Sequence, residues 1–229
     1  MSRGFQLSLN IKALTGVAQE HHAAILARGE HRQLALAEAL FYQGETAKRC
    51  YLLISGQLKL LKLHEQGKEV IIRYIAPGEL TAAVAVFEGK EYPVTAEAIG
   101  PSEVIGWDRS TMMQLMLEYP PLAQNILHTA VDQMNEMQDR YLELCAEQVE
   151  ARLARALLRI MAQSGRKTRD GITIDFPLSR QELANYTGTS LYTVSRVLST
   201  WERNGWIQSG RERITVTDSH ALASFAEGA

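Results

Sequence analysis

Ser179 to Ser199 reads SRQELANYTGTSLYTVSRVLS, and its chemistry lies in hydroxyls, phenols and two guanidinium groups. Tyr192, Ser195, Arg196 and Ser199 recur at i, i+3, i+4 and i+7, one face of a helix. Val194, Val197, Leu198 and Trp201 keep the same spacing and supply a buried stripe on the opposite face. A guanidinium on a small polar face can bond both major-groove acceptors of a guanine, so Arg196 is the candidate base reader. Ser190, Thr193, Arg180 and Arg211 suit phosphate contacts, which set register and carry little sequence information. Tyr192 and Ser195 complete the candidate face.

The flanking residues can hold such a helix in place. Ser179 and Glu182 match a capping box, in which hydroxyl and carboxylate satisfy free amides at a helix start. Leu183 and Tyr186 continue that first helix, Thr187-Gly188-Thr189 breaks it, and Ser190 can start a second. Asn204-Gly205 ends the second helix. Ile207–Val216 then reads as a hairpin wing with Gly210-Arg211-Glu212-Arg213 at its tip. A solvated helical hairpin without a ligand would account for any one of these features. Their joint occurrence favours a winged helix-turn-helix and double-stranded DNA as partner.

Charge follows the same division. Residues 1–150 carry 13 Lys and Arg against 19 Asp and Glu, a net of −6, while residues 151–229 carry 11 against 7, a net of +4. A basic module on an acidic body is expected to meet a polyanion through the module alone.

Upstream, Pro120 to Glu147 runs without an internal glycine and is read as one long helix of about 40 Å. Leu127, Ala130, Met134, Met137, Tyr141 and Leu144 alternate in threes and fours, a heptad stripe that pairs two helices. A helix facing only its own core is the alternative. Asp132, Gln133, Asn135, Glu136, Gln138, Asp139, Arg140 and Glu143 leave the other faces too polar for full burial, so a homodimer helix is favoured. Two winged modules on such a dimer would address half-sites about 34 Å apart.

Before the long helix, residues 10–32 read as helical, and short strands with turns follow from Glu38. Ser55-Gly56, Glu65-Gln66-Gly67 and Ala76-Pro77-Gly78 punctuate Tyr51–Ile54, Leu58–Leu63 and Glu69–Ile75. Val94–Ile99 and Glu103–Trp107 continue the pattern, which indicates a β-sandwich or barrel. Glu150–Ala162 is expected to be a helix and Gln163–Gly171 a polar loop. The expected architecture is α+β: a β-rich domain over 1–119, a dimerisation helix over 120–149 and a winged helix-turn-helix over 150–229.

No apolar run approaches the roughly 20 residues of a membrane span, and the first residues lack the apolar core of a signal peptide. Cys50 and Cys145 are too few for a disulfide framework or a four-cysteine metal site. A cytoplasmic protein that does not enter a membrane is the simplest reading. Enzymatic alternatives lack their signatures: there is no G-x-S-x-G, no H-E-x-x-H and no phosphate-cradling glycine loop. A jelly-roll metalloenzyme would need clustered histidines with a glutamate on its strands, whereas His64-Glu65 stands alone.

On these residues the chain resembles the CRP/FNR family of bacterial transcription regulators. Phe41-Tyr-Gln-Gly44-Glu45 and Tyr51-Leu-Leu-Ile-Ser-Gly56-Gln-Leu58-Lys-Leu60 are similar to the family's strand–glycine–strand signature. SRQELANYTGTSLYTVSRVL is similar to its helix-turn-helix, and the long helix stands where its dimerisation helix stands. The resemblance implies a jelly-roll effector domain with an allosteric role, a homodimer, a roughly palindromic operator and RNA polymerase as a partner.

Departures from the family pattern bear on the effector. Where cyclic-nucleotide binders carry the Gly-Glu that holds the ribose, this chain has Ala82-Ala83. Where they carry the Arg-Ser that holds the cyclic phosphate, it has Tyr92-Pro93. The adenine-contacting hydroxyl pair falls at Met137-Gln138. No cation remains at those positions for a buried phosphate, which argues against cyclic AMP. The chain has no cysteine before Cys50, which argues against the family's cysteine-ligated iron–sulfur cluster. Haem stays among the candidates, with His64 and His128 nearest the expected pocket in sequence. So do an apolar or mixed ligand between Val84, Phe87, Tyr92, Val94, Met134, Met137 and Gln138, and a regulator that needs no ligand. Cys145, beside the heptad stripe, is read as a buried inert thiol. In the recognition helix, Tyr192 stands where well-known members have a glutamate that reads cytosine, while Ser195-Arg196 keeps the Ser-Arg of the anaerobic-regulator branch.

Overall fold

The computed structural model describes residues 11–65 and 67–228. The signal-peptide reading rests mainly on residues outside that range. The chain falls into two compact units, one reaching Leu60 and resuming over Ile75–Gln133, the other formed by Leu61–Tyr74 with Met134 onward.

A 3-10 turn at Lys12–Leu14 and helix α1 (Gln19–Ala27) precede the first eight strands. These are β1 (Glu30–Leu34), β2 (Ala39–Phe41), β3 (Arg49–Ser55), β4 (Leu58–Leu63), β5 (Glu69–Ile75), β6 (Leu80–Thr81), β7 (Thr95–Ala98) and β8 (Ser102–Asp108). A short helix α2 (Ala83–Glu88) lies between β6 and β7. The strands form two four-stranded sheets, β1-β8-β3-β6 and β2-β7-β4-β5, the double-sheet arrangement of a jelly roll. Cys50, Leu52 and Leu53 on β3 and Val104 and Ile105 on β8 are almost fully buried, and the register pairs Leu52 with Ile105 and Leu53 with Val104. Between β3 and β4 the chain turns at Gly56 with φ +86°. A Cβ there would lie 2.6 Å from the Pro101 carbonyl oxygen, so the turn excludes larger residues.

Helix α3 (Arg109–Glu118) starts on Asp108, whose carboxylate accepts from the Thr111 amide (2.8 Å) and the Ser110 hydroxyl (2.7 Å). Those bonds favour the charged form and hold its pKa below the usual carboxylate range. Helix α4 (Pro120–Ala146) opens with two prolines, whose missing amides cost a helix nothing in its first turn. Leu122 and Ile126 are buried, and the Asn125 amide donates to the carbonyls of Ala13 and Thr15 at 3.0 and 2.7 Å.

The second unit adds α5 (Val149–Ser164), β9 (Gly165–Thr168), β10 (Gly171–Ile174), α6 (Arg180–Thr187), α7 (Leu191–Arg203), β11 (Ile207–Gly210), β12 (Arg213–Val216) and α8 (Ser219–Gly228). Its core joins Leu153, Leu157 and Ile160 of α5 to Leu183 and Ala184 of α6 and Val194, Leu198 and Trp201 of α7, all at 2% exposure or less. The sheet order is β11-β12-β10-β9. Leu61–Tyr74 belongs to this unit: Tyr74 is 1% exposed and its ring lies 4.8 Å from Phe176 and 5.6 Å from Tyr186.

Two local expectations are corrected. Glu30–Leu34 is a strand and not the end of a helix, and Gly165–Thr168 is a strand within the expected loop. Both lie at sheet edges with mostly exposed side chains, so neither shows the alternation of a half-buried strand. Ala83–Glu88, a stretch between the expected strands to which the sequence pattern assigns no element, is helical.

Candidate nucleic-acid interface

The capping box on α6 is complete. Ser179 Oγ accepts from the Glu182 amide at 3.1 Å, and Glu182 Oε2 accepts from the Ser179 amide at 3.0 Å. Gly188 ends α6 with φ +69°, where an L side chain would be strained. Ser190 then caps α7, its hydroxyl accepting from the Thr193 amide at 3.1 Å and lying 2.9 Å from Thr193 Oγ1. Val194, Val197, Leu198 and Trp201 bury one face of α7 at 2% exposure or less, while Tyr192 is 79% exposed. Arg196 and Ser199 are exposed, with Ser195 and Thr193 half-buried. The expected polar face therefore exists as one surface on α7.

The wing is a hairpin in which Gly210 pairs with Arg213, leaving Arg211 and Glu212 at the tip with Arg211 exposed. Arg180 donates to Ser209 Oγ at 3.3 Å, and the Ser209 amide donates to Glu202 on α7 at 2.9 Å. The first helix, the recognition helix and the wing are thus tied through Ser209. Arg180 is half-buried and engaged there, whereas Arg211 is exposed.

Two charged residues outside the expected set stand in this unit. Glu150, in the first turn of α5, accepts from Arg196 Nη2 at 2.6 Å, a bond that holds the Glu150 carboxyl below its ordinary pKa. Arg140, on α4, donates to the carbonyls of Ile72 and of Tyr186 (2.9 Å) and stacks 4.3 Å above the Tyr186 ring. Glu150 and Arg196 lie 46 positions apart and Arg140 and Tyr186 also 46, so no local spacing announces either contact. The ion pairs Glu143–Arg159 (2.5 Å) and Glu147–Arg155 (3.0 Å) join α4 to α5.

On α4 the heptad residues are exposed: Leu127 63%, Met134 54%, Met137 63%, Tyr141 67% and Leu144 54%, with Ala130 half-buried. Cys145 is exposed, a correction to its reading as a buried thiol, because its position falls outside the inward face of α4. Cys50 is the buried one, and burial pushes its thiol up to about 12.

The sensor positions divide between the two units. In the first, Tyr92 is 4% exposed, stacks on Phe41 at 4.0 Å, and closes a double hydrogen bond with the Arg49 backbone at 2.8 and 3.1 Å. Its phenol is engaged with the β3 backbone, Val84 is 50% exposed, and Phe87 and Val94 are half-buried. Met134, Met137 and Gln138 belong to the second unit and are exposed. Ala82 holds φ +64°, a left-handed turn, and Ala83 is buried. His64 and His128 are exposed. Among the described residues no group of three or more His, Cys, Asp or Glu could hold a metal ion, and no helix is long and apolar enough to cross a membrane.

A jelly-roll domain, a long helix and a winged helix-turn-helix in one chain define a DNA-binding transcription regulator. Residues 31–119 match the cyclic nucleotide-binding domain, and residues 151–225 match the Crp-like helix-turn-helix domain. The chain is 30% identical to the transcriptional regulator LdrP of Thermus thermophilus over 198 residues, covering 86% of this chain and 97% of that protein. It is 27% identical to the transcriptional activator protein FnrA of Stutzerimonas stutzeri, over 97% of this chain and 88% of that protein. The crystal structure of TTHB099, a CRP-family transcriptional regulator of Thermus thermophilus, superposes with a TM-score of 0.73 at 29% identity, covering 86% of this chain and 97% of that one. The chain belongs to the CRP/FNR family of transcription regulators.

Proposed function

We propose that this regulator acts as a cytoplasmic homodimer that reads a roughly palindromic operator and contacts RNA polymerase, with a sensor domain that does not respond to cyclic AMP. The observation that carries the dimeric reading is the exposed α4 stripe. Five large apolar side chains, each more than half exposed, form one helix face, and two such faces together would bury them. In each half-site Arg196 bonds guanine, while Ser190, Thr193, Arg180 and Arg211 set register on the phosphates.

Cyclic AMP is set aside on three grounds. Ala83 lacks the carboxylate for the ribose, Tyr92 stands at the arginine position without a charge for the phosphate and with its hydroxyl engaged on the Arg49 backbone, and Pro93 has no hydroxyl to offer. A signal in the sensor would act through α4, which the pairs to Arg155 and Arg159 join to α5. Such coupling needs two states that the signal distinguishes energetically.

Selection of bound duplexes from random DNA tests the reading. The expected product is a palindrome whose half-sites carry a guanine set by Arg196, with a neighbouring base unlike the one that a glutamate at position 192 would select. Affinity should fall steeply with salt. Recovery of an unmodified half-site of either well-known family type would contradict the role given to Tyr192.

A further inference from the structure

The guanidinium that faces the base edge is already held by a carboxylate of its own chain. Arg196 Nη2 donates to Glu150 Oε1 at 2.6 Å, and the two side chains keep 57% and 30% of their exposure. Glu150 stands in the first turn of α5, where free amides at the helix start also favour a negative charge. Its backbone is fixed by a helix whose Ala151, Leu153 and Ala154 are fully buried. Val194, Val197 and Leu198 hold the Arg196 backbone in the same way, and of the two side chains Arg196 is the longer and can swing further.

A guanidinium carries five N–H donors, and a carboxylate bound at one nitrogen leaves others free. A guanine edge needs two donors and is uncharged, so it can be met while the Glu150 bond is kept. A phosphate differs. To take Arg196 it must bring a full negative charge beside the Glu150 carboxylate or displace it, and either is unfavourable relative to an unguarded arginine.

We infer that Glu150 is a specificity-determining residue of the DNA interface: it positions Arg196 for a base edge and disfavours use of the same arginine on a phosphate. Glu150 acts through Arg196 and is a positioning residue. The inference rests on the reading of Arg196 as the base contact.

The test compares wild type, E150Q, R196A and the double variant on two duplexes, one recovered by selection and one of random sequence, across a salt series. E150Q keeps the shape and an acceptor oxygen while removing the charge, and equal melting temperatures check that it folds. For E150Q, affinity for random duplex should rise about three- to tenfold, and its salt dependence should steepen by about one counterion per bound chain as Arg196 takes a phosphate. Affinity for the selected duplex should not rise in step, so the ratio of the two should drop about tenfold. In the R196A background the E150Q change should have no effect on that ratio. An unchanged ratio and slope for E150Q, with wild type still selective, would overturn the inference alone, as would an equal effect in the R196A background. A wild type without salt-sensitive, selective DNA binding would overturn the interface reading and the inference together.

Discussion

Recognition helix α7 and the Ala82–Pro93 segment of the sensor treat their polar groups in opposite ways. On α7 the chain keeps a buried apolar stripe and, opposite it, exposes Tyr192, Ser199 and Arg196, the last of which also bonds Glu150. In the sensor segment the positions that would hold a nucleotide are alanines, a proline and a tyrosine whose hydroxyl is spent on the Arg49 backbone. The turn itself persists: Ala82 adopts the left-handed φ of +64° that glycine takes at no steric cost. Scaffold geometry is therefore retained at both places, and polar groups are left available at only one. Packing and turn geometry keep a fold, while a ligand needs donors, acceptors and charge at particular positions.

Breaking the proposed dimer should have the largest effect. With Met134→Glu and Met137→Glu together, four carboxylates would meet in a seam of two helices. The chain should then sediment as a monomer and lose operator affinity about a hundredfold or more, since the second half-site no longer adds to the first. Retained specific binding by a monomer would separate α4 from DNA reading. Next, Arg196→Ala should weaken the selected duplex about 5- to 150-fold per half-site, the worth of one bidentate guanine contact, in a titration at fixed salt. A similar loss on every sequence would instead make Arg196 a phosphate contact.

Smaller effects sharpen the contrast in scaffold. Ser179→Ala removes the hydroxyl of the capping box and should lower the stability of the DNA-binding unit by about 1 kcal/mol, read from chemical denaturation. Ala82→Gly should relieve left-handed strain of about 1–2 kcal/mol at some cost in unfolded-chain entropy, a net stabilisation of about 0.5–1 kcal/mol. A destabilised A82G would mean that the methyl group packs usefully in the sensor.

Local spacing carried the winged helix into view. The capping box, the glycine at 188 and the i, i+3, i+4, i+7 faces of α7 are all set by neighbours within two turns, so residue order alone exposes them. The edge strands Glu30–Leu34 and Gly165–Thr168 stayed hidden, because a strand at a sheet edge needs almost no apolar residues of its own. Ala83–Glu88 stayed hidden because AVAVFE is a short, almost wholly apolar run whose periodicity does not separate strand from helix, and only the surrounding packing decides. The Glu150 carboxylate on Arg196 and the Arg140 guanidinium over Tyr186 join residues distant in the chain, and their pairing exists only once α4, α5, α6 and α7 are folded. Nor does an exposed cysteine at 145 announce itself, since helical position is counted from a face that only the packing of α4 defines.

One titration bears most directly on the contrast between an exposed recognition face and a sensor proposed not to take cyclic AMP. The dissociation constant of the wild-type protein for its selected operator duplex is measured at constant salt, without and with saturating cyclic AMP. The account expects the two values to agree within a factor of two. A tightening of tenfold or more on adding cyclic AMP would contradict it.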